Sequence, residues 1–363
     1  MSPPTFPTIS ISPFLTHPIS SPPTLSQKLT AQTLSAACAH PGFFYLTHHN
    51  LPPTLTSSVL SLAREFFLHA SAEEKERIKR RDVGVGDGDG ARGYQVVGDN
   101  ITEGKRDWHE AVDWYRPVGD EGEEGVEEKG EEGDVKAMKG HVNGARTNGV
   151  ENHRSPPFAL LQGLNQWPMY PPSFRKTYAS YIAHMLTLGT AVVRAMGLAL
   201  GGDMTKTFVE NTRRSFWVMR AIGYPPLPPD IARDETGGVS CGAHSDYGCL
   251  TLLLADETKG ALQAWVEDGG SGEDGRADSK GGQWVNIDPK PGALVVNIGD
   301  MMERWSGGKW KATRHRVVHK GGGYRVSVPF FFEPDWDAKV PGLPHEGEVM
   351  YGKYLEAKVR GNF

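Results

Sequence analysis

Cysteine is scarce: three in 363 residues, at Cys38, Cys241 and Cys249. So few, and odd in number, they cannot form the disulfide framework of a secreted domain, and they point to a reducing compartment. Cys241 and Cys249 read as small buried residues. No lysine or arginine occurs before Lys28, and the opening stretch is rich in Pro, Ser and Thr. A secretory signal needs a charged start and an apolar run, and neither is there. The longest apolar helical pattern, over 173–200, is broken by Arg194, so no uninterrupted run of membrane-spanning length is expected. The formal net charge of −5 comes without any basic stripe, which excludes the electrostatic footprint of a nucleic-acid binder. The terminal Gly-Asn-Phe is not a peroxisomal address. A soluble, cytoplasmic protein is the expectation, and 363 residues suffice for a large core.

What is present begins with a short strand at Phe6-Pro-Thr-Ile-Ser-Ile and a helix over Leu25–Ala39, ended by Pro41-Gly42. Phe43-Phe-Tyr-Leu reads as a buried strand. Over 56–69, Val59, Leu62, Ala63, Phe66 and Phe67 share one helical face, and Ser71-x-x-Glu74 opens the next helix as a capping box. Residues 81–90 are a Gly/Asp-rich loop. Its Gly84-x-Gly86 lacks the strand-turn-helix context of a nucleotide site. His109 and Glu110 fit a surface strand better than a metal site. In the 173–200 helix, Phe174, Tyr178, Tyr181, Met185, Leu188, Val192 and Met196 recur at steps of three and four. Residues 215–224 read as a strand, and Asp300 as the N-cap of a short helix. Many short strands follow residue 210, after a mostly helical first part. The class is mainly β with helices (α+β): a jelly-roll core with a helical N-terminal region.

Chemistry concentrates between residues 242 and 327. In Gly242-Ala-His244-Ser-Asp246-Tyr-Gly, just before Leu-Thr-Leu-Leu-Leu, the histidine and aspartate are two apart and would share a strand face. His315 opens a further strand. Two histidines and a carboxylate leave half an octahedron open, the arrangement that suits a non-haem Fe(II) centre admitting both a co-substrate and O2. Arg325 and Ser327 also share a face, in the otherwise apolar Tyr324-Arg-Val-Ser-Val-Pro-Phe-Phe-Phe. A guanidinium buried there needs an anionic partner, such as a dicarboxylate chelating the metal at its other end.

His244-x-Asp246, the distal His315 and Arg325-x-Ser327 resemble the signature of the 2-oxoglutarate/Fe(II) dioxygenases of the isopenicillin N synthase-like group. So do Leu262-Gln263, the stretch Val296-Asn-Ile-Gly-Asp300, and Trp305 to Val317. The resemblance runs, with gaps, from about Phe6 to the C-terminus. It implies a double-stranded β-helix, with iron on His244, Asp246 and His315 and 2-oxoglutarate on Arg325 and Ser327, helped by Tyr224. At Ile222 the chain departs from an asparagine common in the family. Arg92, Tyr94, Phe216 and Phe331 are candidate substrate contacts. The implied reaction is hydroxylation, desaturation or ring closure of a small organic molecule. It uses O2 and releases succinate and CO2, with ascorbate supportive in vitro. The implied state is a monomer with no nucleic-acid or membrane partner. Two alternatives stay open: an oxidase working without 2-oxoglutarate, as isopenicillin N synthase does, or a non-catalytic metal-binding jelly roll. The implied regions are an N-terminal one (1–118), scaffold helices (155–210), the catalytic core (211–340) and a C-terminal segment (341–363).

Residues 119–154 are dominated by Gly, Glu and Lys, with few large apolar side chains. Such a segment cannot bury enough surface to offset its ordering entropy, so an acidic, mobile insertion in a surface loop is expected. Residues 267–283 have the same character and extend a hairpin. Replacing residues 120–152 with a short Gly/Ser linker is expected to change stability by less than about 1 kcal/mol, since closure entropy grows slowly with loop length. Thermal melting of the deletion variant measures this; a large drop in Tm would show that the segment packs on the core.

Overall fold

Strands that are apolar at almost every position must be buried on both faces, and the computed structural model shows what lies on each. It describes residues 5–16, 22–102, 104–117, 159–228, 239–267 and 281–362. The acidic insertion and most of 267–283 lie outside these residues.

In chain order, β1 (Thr8–Ser10), α1 (Ser12–Leu15), α2 (Leu25–Ala39), β2 (Phe43–Thr47), α3 (Pro53–His69) and α4 (Ala72–Arg77) come first. Next are β3 (Gly93–Gln95), β4 (Ile101–Thr102), β5 (Lys105–Arg106) and β6 (Glu110–Tyr115). The helices α5 (Phe174–Leu200) and α6 (Met204–Asn211) lead to β7 (Val218–Tyr224), β8 (Cys241–His244), β9 (Leu250–Ala255) and β10 (Leu262–Glu267). The chain continues through β11 (Gly282–Asn286), β12 (Leu294–Ile298), α7 (Asp300–Trp305), β13 (His315–Val317) and β14 (Arg325–Phe332). It closes with β15 (Lys339–Val340), β16 (Val349–Met350) and α8 (Tyr351–Asn362).

Eight strands form one sheet in the order β1-β2-β12-β9-β14-β7-β6-β3, and β11-β10-β13-β8 form a second. Among the described strands of these two sheets the β1–β2 pair is parallel and the other neighbours run antiparallel. The large sheet takes strands from both the N-terminal and the C-terminal regions, so no layer boundary separates them. The pairing Glu267↔Gly282 makes β10 and β11 the arms of a hairpin.

Side chains alternate along each strand. From β2, β9, β12 and β14, residues such as Phe44, Leu252, Val296 and Phe330 join one core with Leu34, Phe66, Tyr178, Met185 and Val192 of the helices. Their neighbours Phe43, Tyr45 and Val295 join a second core with Leu262, Ala264, Val285 and Val317 of the small sheet. The helices therefore cover one face of the large sheet, the small sheet covers the other, and the space between the sheets is the jelly-roll interior.

Local chemistry explains the helices. Thr24 and Gln27 cap α2 reciprocally, at 3.2 and 2.9 Å. Ser71 accepts from the Glu74 amide at the start of α4. α5 ends at Gly201, whose φ of 77° favours glycine. By length and composition α5 is apolar enough to cross a membrane in spite of Arg194, contrary to expectation. Its apolar face lies in the helical core instead, from Phe174 to Met196. Two further expectations are corrected. β6 is buried throughout between β3 and β7, not a surface strand, because it takes pairing from both sides. Asp300 does not cap α7; Gly299 holds the N-cap position, and the Asp300 carboxylate accepts from Ser245 and Tyr354.

α5 meets β14 most tightly at Gly189, where an added Cβ would stand 2.2 Å from the Phe332 ring. Helix propensity alone would make Gly189→Ala stabilising by about 1 kcal/mol. Overpacking against a ring that is only 1% exposed outweighs it, and we expect a net loss of about 1–2 kcal/mol in urea denaturation. A gain in stability would show that the ring turns aside freely.

Candidate active site

β8 and β13 are neighbours in the small sheet, and their register sets His244 opposite His315, with ring centroids 4.4 Å apart. β8 ends at His244. Asp246 lies in the turn that follows, not two places along the same strand as expected. The turn is tied down by the start of α7: the Asp300 amide donates to the Asp246 carbonyl at 2.8 Å and the Met301 amide to that of Gly248 at 3.0 Å. Only glycine fits at 299, where a Cβ would be 2.6 Å from the Gly248 carbonyl oxygen and 2.8 Å from that of Asp246. The result brings Asp246 Oδ1 to 3.7 Å from Nε2 of both histidines. One ligand atom from each residue lies within 4.8 Å of the others.

The remaining atoms of the triad have partners. His244 Nδ1 is 2.8 Å from the Gly242 carbonyl and His315 Nδ1 3.1 Å from that of Thr313. A carbonyl only accepts, so each Nδ1 carries the ring hydrogen and each Nε2 turns toward Asp246. Asp246 Oδ2 accepts from the Thr251 hydroxyl and, at 2.7 Å, from Asn297 Nδ2, leaving Oδ1 for a metal. Burial alone would raise the Asp246 carboxyl. His315 and His244, with those two hydrogen bonds, hold it below the ordinary range. Burial lowers His315 against the pull of Asp246, whereas at His244 Cys241, Asp246 and the Gly242 carbonyl outweigh burial and raise it.

Arg325 is 2% exposed and belongs to the inward face of β14. Its guanidinium carbon is 4.7 Å from the centre of the Tyr224 ring, and Nη1 is 3.5 Å from Ser327 Oγ. Nε is buried without a partner, and among the described residues no carboxylate pairs with this side chain. Burial raises the Tyr224 phenol, which stays neutral.

A cavity of about 410 Å³ adjoins the triad. Its walls include Val218, Arg220 and Phe331 from the large sheet, Asn100, Thr102 and Asp107 near β4, and Tyr351, Leu355, Lys358 and Val359 from one face of α8. Of the expected substrate contacts, Phe331 is in this lining and three are not. The Arg92 guanidinium is buried on Asp89, the Asn165 side chain and the Arg116 carbonyl. Tyr94 packs on Phe66 and donates to Glu110 at 2.6 Å. Phe216 packs on Tyr115 and Trp336. Each falls on the helical side of its strand or in a loop, where charge and apolar area are already matched.

His109 and Asp107 lie near Cys241, but their atoms have partners: Asp107 accepts from the Gly242 amide and from Thr102, and His109 bridges Ser240 and Asn100. They fasten the approach to β6 onto β8. Burial, aided by Arg220, pushes His109 down to about 3. Thr251, Asn297, Arg220 and Glu333 were not anticipated from the sequence. Each is visible there as a lone polar residue in or at the end of an apolar strand, the signal that singled out Arg325.

The comparisons agree with this geometry. Residues 215–334 match the model of the 2OG-Fe(II) oxygenase superfamily. Residues 6–134 match that of the non-haem dioxygenase in morphine synthesis N-terminal region. A homoarginine-6-hydroxylase of Glycine max is 34% identical over 344 residues, covering 91% of this chain and 88% of its own. The chain belongs to the 2-oxoglutarate/Fe(II) oxygenases. A 2-oxoglutarate-Fe(II) type oxidoreductase of Emericella nidulans is 32% identical, covering 86% of this chain and 76% of its own. A full-length Neurospora crassa protein solved with alpha-KG and thymine superposes with a TM-score of 0.70 at 21% identity. That match covers 98% of this chain and 96% of the other, and it shares the jelly-roll fold. This oxygenase is thus a 2-oxoglutarate-dependent non-haem iron dioxygenase acting on a small molecule, with a His-Asp-His iron triad in place.

Removing one of the two donors that orient Asp246 should loosen the metal. Asn297→Ala is expected to weaken Fe(II) binding about 10- to 100-fold, read as iron retained against a graded chelator. Iron held as tightly as in the wild type would show that Asn297 does not orient the ligand.

Proposed function

We propose that His244, Asp246 and His315 hold the iron and that Arg325, Ser327 and Tyr224 receive the far carboxylate of 2-oxoglutarate. The cavity beside the triad takes a small cationic amino acid of the homoarginine kind. The observation that carries the 2-oxoglutarate assignment is the buried guanidinium of Arg325, whose Nε lacks a partner and which stacks on Tyr224 of the inter-sheet core, the core on which His315 packs through Phe43. A dicarboxylate fits that donor set, and three ligands on one side of a metal leave the opposite positions open.

When bound, iron and 2-oxoglutarate supply the oxidation: one atom of O2 enters succinate as CO2 leaves, and the other is inserted into a substrate C–H bond. The residues of the chain do the rest. Thr251 and Asn297 hold Asp246 so that one oxygen faces the metal. The carbonyls of Gly242 and Thr313 fix both imidazole tautomers. Arg325, backed by Tyr224, sets the direction from which the co-substrate enters. Phe331 and Leu355 keep the cavity partly apolar. Hydroxylation is the outcome best supported, since the homoarginine-6-hydroxylases are among the most similar relatives. We also propose a cytoplasmic monomer with no nucleic-acid or membrane partner, supported by the net charge of −5 and by three unpaired cysteines.

Arg325→Gln tests the assignment. Losing one partner of a buried charge pair costs on the order of 3–5 kcal/mol, or roughly two to four decades of affinity. The variant is therefore expected to bind 2-oxoglutarate far more weakly while its iron content stays normal. Monocarboxylate 2-oxoacids, which have no far carboxylate, are expected to lose much less. An anaerobic titration following the charge-transfer band of chelated Fe(II) measures both. Equal 2-oxoglutarate affinity in variant and wild type would assign Arg325 to the substrate instead.

A further inference from the structure

Glu333 directly follows β14 and is 4% exposed, yet it is part of the cavity wall. Its carboxylate lies over the metal-ligand turn, where a Cβ added to Gly248 would stand 1.1 Å from Oε2. Oε2 accepts from the Cys249 amide at 3.1 Å. Among the described residues no lysine, arginine or histidine pairs with this carboxylate. The Tyr351 hydroxyl, fully buried in the same wall, faces the Glu333 carboxylate, in a geometry short of a well-formed hydrogen bond. A carboxyl buried in a cavity wall with only an amide and a phenol beside it, and no cation, is costly unless a positively charged ligand completes it.

We infer that Glu333 is the anchor for the cationic end of the substrate, gripping a guanidinium or ammonium beside the metal-ligand turn. The inference rests on the substrate class proposed above and adds a direction to it. Arg220 supplies the opposite end. It is held by Asp113 at 2.7 Å and lies in the same wall. Phe331 pairs with Val218, so the level of Glu333 is four residues from Arg220 along β7, about 13 Å. A zwitterion with its cation on Glu333 and its carboxylate toward Arg220 spans that interval. In homoarginine, carbon 6 bears the guanidino nitrogen. A cation held over Gly248, two residues from Asp246, therefore brings that carbon, rather than the α-carbon, to the triad. The burial that pushes the Glu333 carboxyl up to about 8 is relieved once a cation sits beside it.

The test uses n-butylguanidinium, its neutral isostere n-butylurea and L-homoarginine, each titrated anaerobically into the Fe(II)·2-oxoglutarate form of wild type and Glu333→Gln. Glutamine keeps the acceptor for the Cys249 amide, and an unchanged charge-transfer band confirms that fold, iron and 2-oxoglutarate sites are intact. Wild type is expected to prefer the guanidinium over the urea by on the order of 100-fold, and the variant to lose nearly all of that preference. No preference in the wild type, or the same preference in the variant, overturns the anchor. Turnover of homoarginine is scored separately. Guanidinium preference through Glu333 without homoarginine turnover keeps the anchor and rejects homoarginine as the substrate. Turnover with an unaltered preference in Glu333→Gln does the reverse.

Discussion

Everything in this structure depends on a sheet that is buried on both sides. A strand has a period of two, so each interior strand sorts its residues between the helices and the space enclosed by the small sheet. Aliphatic and aromatic side chains can occupy either side without cost. A polar group cannot, and must be matched where it falls. β14 shows the rule most plainly. Val326, Val328, Phe330 and Phe332 pack on the helices, while Arg325 and Ser327 turn inward. β9 and β12 repeat it with Thr251 and Asn297, whose two hydrogen bonds orient one carboxylate.

That constraint explains what the sequence made legible. Helices with an uninterrupted three-four pattern, such as α3 and α5, were found with the correct faces. Arg325 and Ser327 were placed together on one buried face because a charge inside an apolar run cannot be buried unless something of opposite charge meets it. His244 and His315 were found as motif partners. The strand geometry assumed for Asp246 was wrong, because the turn after β8 is shaped by hydrogen bonds from a segment more than fifty positions away. No local periodicity contains that information. Asp300 misled for a similar reason: its position suits a cap, but Ser245 and Tyr354 offer it better donors.

The cavity lining was the least legible part. Tyr94 and Phe216 are aromatic residues close to motif residues in the chain, yet their side chains serve the helical core. The residues that do line the cavity come from six separate places in the chain: the stretch from Asn100 to Tyr115, β7, β8 with its turn, Arg314, the end of β14 and one face of α8. Only folding brings them together. Arg220 and Glu333 carried the same signal as Arg325 but had no familiar motif to draw attention to them.

The order of the large sheet has a kinetic side. β2 pairs with β12 through Tyr45↔Val295, two positions about 250 residues apart in the chain, while β1 has β2 as its one neighbour in that sheet. Contacts of such long range return pairing energy only after a very large loop has closed, which puts this topology at the slow end of folding. Until then, β12 and β9 carry apolar side chains on both faces and unpaired backbone on their edges, the profile of a strand that sticks to its own kind. The sheet that encloses the site therefore also leaves a newly made chain open to pairing with its own kind until the last strands close.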